Sequence, residues 1–128
     1  MVVISPVNGQ EIDVDSLMDA VRDLAFESPT NIYMPAVRGE KCHYSSGDCK
    51  NGSIGCIVGQ ALARIGLNPA EFESCDGVAP SAAKVVGDLS GECGAGTWLR
   101  CVQSHQDAGK SWIASIRYAD EQRSYREA

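Results

Sequence analysis

The strongest apolar periodicity lies in residues 13–29, DVDSLMDAVRDLAFESP. Its apolar side chains recur at the spacing of one face of an α-helix; they are Leu17, Met18, Val21, Leu24 and Ala25. Asp15 or Ser16 is expected to cap this helix, because a short polar side chain can accept hydrogen bonds from the first-turn amides. Pro29 is expected to end it, because the residue before a proline is biased away from helical geometry.

The second half of the chain shows the helical period in shorter pieces. Residues 56–66, CIVGQALARIG, place five apolar side chains on one face and end with Gly66, where helices commonly stop. Asn68, Pro69 and Glu71 then follow in the order of a helix cap, a first-turn proline and a third-position acid. This order predicts a short helix that ends near residues 76–77.

Three further apolar stripes follow toward the C-terminus. Residues 79–89 predict a short helix with Val85, Val86 and Leu89 inward, and residues 97–109 predict a longer one after a glycine-rich link. Ser111 can cap a last helix, whose apolar positions are Trp112, Ile113, Ile116 and Ala119. The tail after about residue 119 is polar, and we expect it to fray.

Two regions lack the helical period and favour β-structure. Residues 2–12 carry the hairpin signal Asn8-Gly9 between β-branched residues, although Pro6 weakens it. Residues 31–55 hold four glycines and two β-like pieces, around residues 32–33 and 42–44. The predicted fold is therefore an α-rich α+β domain over residues 1–128, with five to six short helices packed with a small antiparallel β-hairpin region.

The composition is that of an ordinary globular protein, with 44% apolar and 22% charged residues in 128. No apolar run approaches the roughly 20 residues that cross a bilayer, and the N-terminus lacks the pattern of a signal peptide. We therefore expect no membrane interaction and a cytoplasmic location. The net charge of −6, from 17 acidic and 11 basic residues, argues against nucleic acid. An acidic surface can instead mimic nucleic acid or bind a basic protein.

Cys56 is the first candidate for chemistry, because it stands at the predicted start of a helix. Helix N-termini stabilise anions and can lower the pKa of a thiol. The pattern glycine, cysteine, two apolar residues and glycine superficially resembles the nucleophile helix of NlpC/P60 cell-wall cysteine peptidases. Such an enzyme needs a histidine base within reach of the sulfur, and the candidates are His43 and His105. No strand series follows Cys56 to carry that base, so a buried structural thiol fits equally well.

A structural zinc site is the second candidate. Cys42, Cys49 and Cys56 are spaced Cys-x6-Cys-x6-Cys, with His43 beside the first, and thiolate and imidazole are the ligands that zinc prefers. The close cysteine pair that usually forms a zinc knuckle is missing from the sequence. A disulfide among these residues is the alternative in an oxidising setting. No other cofactor is expected.

The two tryptophans have two interpretations. Trp98 and Trp112 each stand in the first turn of a predicted helix. Core packing is the usual role of such a ring, whereas an exposed tryptophan is a natural hot spot for a protein partner. The sequence does not separate the two; core packing is the default, and Trp98 and Trp112 are named as the candidate partner-binding residues in case they are exposed.

Short motifs along most of the chain resemble small uncharacterised proteins of actinobacterial phages, mycobacteriophages especially. They are the segments 8–12 and 20–22, the segment 55–62 preceded by Cys42 and Tyr44, and the segments 102–103, 106–109, 111–112 and 119–120. The resemblance implies an accessory protein in the host cytoplasm and no assigned activity. We therefore expect a non-enzymatic acidic protein that binds a host or phage protein. The alternatives are a thiol hydrolase using Cys56 and a small structural-zinc protein.

Overall fold

A computed structural model describes residues 2–34, 43–49, 54–73, 79–87 and 94–127 of the chain. The helices in these ranges are α1 (Val14–Glu27), α2 (Ile57–Arg64), α3 (Ala82–Val86), α4 (Ala95–Asp107) and α5 (Trp112–Glu127), with a 3₁₀ turn at Pro69–Phe72. The strands are β1 (Val2–Ile4), β2 (Glu11–Asp13), β3 (Tyr33–Met34) and β4 (Asp48–Cys49). The predicted α-rich α+β fold class is confirmed.

The predicted α1 is present, but its cap differs from the prediction. Asp13 caps the helix, and its Oδ1 accepts a hydrogen bond from Ser16 N at 3.2 Å. The helix begins before Asp15 because β2 runs directly into it, so that Asp13 ends the strand and starts the helix. The predicted apolar face is correct: Leu17, Val21 and Leu24 are buried.

The end of α2 follows the sequence prediction. Gly66 has a φ of +92°, and Leu67 N donates to Leu62 O at 3.0 Å, which satisfies a free carbonyl of the last turn. Asn68 then caps the 3₁₀ turn by accepting from Ala70 N at 3.1 Å. That turn ends at Phe72 and Glu73 is extended, while the predicted helix end near residues 76–77 lies outside the described residues.

Two antiparallel hairpins accompany the helices in the described ranges. β1 pairs with β2 as the Asn8-Gly9 signal predicts, although the loop spans residues 5–10 rather than two residues; Ser5 N donates to Gln10 O at 2.8 Å to close it. β3 pairs with β4 through Tyr33 opposite Cys49. The strand expected at residues 42–44 is not seen at His43 or Tyr44, and Cys42 lies outside the described residues.

The core lies where α4 packs between α3 and α5 and where α1 packs on α2. The turn after α1 holds the start of α5, since Trp112 N donates to Asn31 O at 2.9 Å and Ile113 N to Pro29 O at 3.2 Å. α5 is helical to Glu127, and the fraying expected after residue 119 stays a prediction. In the ranges that the structure describes, no helix has the length and apolar character to cross a membrane.

Candidate functional site

Cys56 lies at the start of α2, as the sequence predicts. It is the N-cap residue of the helix, with extended backbone geometry, and its exposed fraction is 0%. Its backbone N donates to His43 O at 3.0 Å. The structure therefore brings the backbones of two predicted site residues, His43 and Cys56, side by side.

The helix start beside Cys56 is completed by a residue that the sequence reasoning missed. Gln106 of α4 is fully buried, and its Oε1 accepts from Ile57 N at 3.0 Å. Gln103, one turn earlier, does the same for α3 by accepting from Ala82 N at 2.7 Å. Both glutamines lie on the same helical face as Leu99 and Val102. A polar residue on an otherwise apolar helical face is usually hydrogen-bonded in the core, and this pattern is visible in the sequence.

The segment from His43 to Cys49 packs closely against α2. A Cβ added to Gly59 would overlap the carbonyl oxygen of Tyr44, so the helix needs glycine there. Tyr44 is itself buried, and its hydroxyl donates to Pro80 O at 2.6 Å. Cys49 Sγ donates to Gly55 O at 3.3 Å. Cys49 is thus part of the packing between this loop and the start of α2.

This geometry bears on the thiol-hydrolase prediction. A nucleophilic sulfur has to meet its substrate, and the side chain of Cys56 is closed off from solvent in this structure. The imidazole of His105 stacks on Tyr118, with ring centroids 4.6 Å apart and planes at 18°, which places it on the α5 side of α4. His105 therefore belongs to the packing of α4 on α5.

The proposed zinc ligands fall only partly within the described residues. Cys42 lies outside them, while His43, Cys49 and Cys56 lie inside. Within the described ranges, no three histidine, cysteine, aspartate or glutamate side chains come close enough to hold a metal ion. A zinc site that includes Cys42 stays a prediction.

The assignment of Trp98 and Trp112 as a partner surface is corrected by their burial. Their exposed fractions are 2% and 0%, because both rings pack in the core. Trp98 Nε1 donates to Asp120 Oδ1 at 2.9 Å, and the guanidinium of Arg22 lies 4.9 Å from the Trp98 ring centroid. Arg22 also donates to both oxygens of Asp120, at 2.8 and 2.5 Å. The Arg22, Trp98 and Asp120 side chains thus join α1, α4 and α5.

Exposed apolar side chains lie on the outer face of the first hairpin, whereas the two tryptophans are buried. Val2 and Ile4 are 60% and 59% exposed, while Val3 between them is buried. Asp13 pairs with Val2 and Glu11 with Ile4 across the two strands, so all four side chains share one face. We call these four residues the hairpin face.

A groove of about 480 Å³ adjoins the hairpin face. It is lined by Val2, Glu11, Asp13 and Ser16 on one side and by Ile65 and Leu67, which follow α2, on the other. The half-buried side chains of Ile65 and Leu67 extend the apolar area of the hairpin. The hairpin face and this groove together form an open surface with apolar and carboxylate groups.

A second groove, of about 580 Å³, lies between α1, α2 and the loop at Ser45. Leu24, Ile54 and Ala63 line it together with Arg64. Arg64 donates to Glu27 at 2.5 and 2.9 Å, so the cation at this groove is paired with a carboxylate of the same surface. The charge at this second groove is therefore more nearly balanced than the charge at the hairpin face.

Comparison with known proteins gives no relative: no protein family, no curated protein and no solved structure matches the chain.

Proposed function

We propose that this protein acts by binding another protein, and that the hairpin face with its groove is the contact surface. The observation that supports this is the exposure of Val2 and Ile4 on one face of the hairpin, with Val2 lining the groove together with the apolar residues Ile65 and Leu67. Single exposed apolar side chains are common, but contiguous apolar patches with a polar rim often mark interaction sites. Burying a Val or Ile side chain completely contributes about 1.5–3 kcal/mol.

The proposal for where the protein acts is based on its sequence. The resemblance to actinobacterial phage proteins supports an accessory role in the host cytoplasm, with a host or phage protein as the partner. The net charge of −6 supports a protein rather than a nucleic acid, because Lys and Arg supply most contacts to phosphates and acidic residues outnumber them here.

A capture experiment with matched variants tests this proposal. The double variant V2T/I4T keeps the β-branched shape that favours a strand and replaces exposed apolar groups with polar ones. The control is F26Q on α1, since Phe26 is 65% exposed but lies near the far end of that helix. Tagged wild type, V2T/I4T and F26Q are incubated with the same actinobacterial lysate.

The proposal expects a stoichiometric partner that wild type and F26Q capture and that V2T/I4T loses. Circular dichroism melting curves check that all three proteins are folded. If V2T/I4T captures the same proteins in the same amounts as wild type, the hairpin face is not the contact surface. If folded wild type captures no stoichiometric partner in repeated trials, protein binding is itself contradicted.

A further inference from the structure

We propose that the hairpin face selects a basic partner segment, one that carries apolar side chains flanked by lysine or arginine. This inference rests on the proposed function and adds the chemical class of the partner. It follows from the arrangement of apolar and acidic groups on the two strands.

The register of the hairpin places a row of apolar side chains beside a row of acidic ones. The β1 row is apolar, with Val2 and Ile4, and the β2 row is acidic, with Glu11 and Asp13. Residues two apart on a strand lie roughly 7 Å from each other, and directly opposed side chains lie about 5 Å apart. A segment that covers the apolar row therefore brings its own side chains within a few ångströms of both carboxylates.

The charged side chains described around this face are acidic, and the N-terminal amino group adds a positive charge that acts on Asp13. No lysine, arginine or histidine is among the described side chains that line the groove, whereas two carboxylates are. Asp15 follows at the start of α1, and Glu71 accepts from Gln10 Nε2 at the loop end of the hairpin. Arg22 and Arg64, the basic residues of the neighbouring helices α1 and α2, bind Asp120 and Glu27 elsewhere.

Electrostatic complementarity suits this arrangement to cations. Oppositely charged patches steer encounter and exclude partners of like charge. The backbone N–H of Ser16 donates to Asp13 and lowers the pKa of that carboxyl below 3.8, so the group stays ionised at neutral pH. A partner that offered only apolar groups would leave two carboxylates beside a desolvated contact, which is unfavourable.

The same argument disfavours a second copy of this chain as the occupant. Two hairpin faces in contact would bring Glu11 and Asp13 of one copy near the same residues of the other. Carboxylates held close together repel each other, and burying them without cations adds a desolvation cost. The favoured occupant is therefore a basic segment of a different protein.

Two short synthetic peptides provide the probe. One alternates lysine with valine, and the other alternates glutamate with valine, so that only the sign of the charge differs. The protein variant E11Q/D13N removes both charges of the hairpin face, while Asn keeps the capping ability of Asp. The control is D23N, which removes an exposed carboxylate from α1 away from the groove. Binding is measured by calorimetry at two salt concentrations, and ¹⁵N-labelled protein locates the contact by NMR.

The inference expects the lysine peptide to bind wild type at least about tenfold more tightly than the glutamate peptide does, with binding that weakens as salt rises. E11Q/D13N should lose about tenfold in affinity for the lysine peptide, while D23N should stay within about twofold. NMR shifts should fall on residues 2–13 and 65–67. Equal binding of the two peptides, unchanged binding by E11Q/D13N, or shifts located elsewhere would overturn the inference.

The capture experiment separates this inference from the proposed function. If V2T/I4T loses the lysate partner but E11Q/D13N retains it fully, the protein-binding proposal stands and the basic partner class is wrong. If V2T/I4T also retains the partner, both fail. A dimer of wild type in light scattering that V2T/I4T abolishes would identify a second copy as the occupant and overturn the inference.

Discussion

The side-chain oxygen of Gln106 accepts a hydrogen bond from the backbone N–H of Ile57 at 3.0 Å, so that α4 supplies a cap for the start of α2. The Cys56 side chain does not make this capping bond. Helix N-termini have several amides without partners inside the helix, and a buried amide without an acceptor is costly. Gln106 is therefore a structural residue at the site where the sequence suggested a nucleophile.

Substitution Q106L is predicted to lower the free energy of unfolding by about 1–3 kcal/mol, because it leaves the buried Ile57 amide without its acceptor. The measurement is urea unfolding followed by circular dichroism. S104A is the matched control, since Ser104 is exposed on the same helix, and it should change the free energy by less than about 0.5 kcal/mol. Equal stability of Q106L and S104A would show that the bond does not support the helix start.

Asp120 should be a second stabilising position, because its carboxylate receives hydrogen bonds from both Trp98 and Arg22. D120A is predicted to cost about 1–2 kcal/mol in urea unfolding, mostly through the lost acceptor of the Trp98 indole. The ion pair adds less, since Asp120 is partly exposed and solvent screens its charge. E121A, at the next, exposed position of α5, is the control and should unfold like wild type. Wild-type stability in D120A would contradict this role.

The stability of the protein should depend on pH through Asp13. The hydrogen bond from Ser16 N lowers the pKa of this carboxyl from 3.8, so its contribution is fully present above that value and is lost as pH falls through the folded-state pKa. In D13N the cap does not titrate. The melting-temperature advantage of wild type over D13N should therefore be constant near neutral pH and shrink below about pH 4. A difference that does not vary between pH 7 and pH 2 would contradict the assignment.

The burial of Cys56 predicts slow alkylation. Iodoacetamide should modify this residue in the native protein more slowly than it modifies a model thiol at every pH from about 6 to 9, because thiolate access controls the rate. Mass spectrometry of digests locates the modified cysteine, and denaturation in urea should raise its rate to that of the model thiol. Native alkylation of Cys56 faster than the model thiol would contradict the structural role and favour the thiol-hydrolase alternative.

Local patterns were sufficient for much of the fold. The apolar period gave the face of α1, and Gly66 marked the end of α2, because both signals act within a few residues. The cap of α1 was misplaced because a strand runs into the helix without a loop. Gln103 and Gln106 were missed for a different reason: their partners lie 21 and 49 residues away in the chain, so only the assembled fold shows the bonds.

The hairpin face was harder to predict from the sequence than the helices were. Residues 2–4 are all apolar, so alternation does not reveal which side of β1 is buried. The core packing of Trp98 and Trp112 likewise depends on how helices meet, and an aromatic ring has the same local pattern in a core as at an interface. Only the folded chain shows that Val2 and Ile4 are exposed while Trp98 and Trp112 are buried, which makes the hairpin the better candidate for the contact surface.

Site-specific photo-cross-linking tests the protein-binding account most directly. The photo-reactive amino acid p-benzoylphenylalanine is placed at position 4, in the hairpin face, or at position 26 as the control, and each protein is irradiated in the same actinobacterial lysate. The account predicts a single adduct from position 4, formed with a lysine- or arginine-rich segment of another protein and absent from position 26. Adducts from position 26 alone, or none from position 4 in a protein that captures its partner, would contradict it.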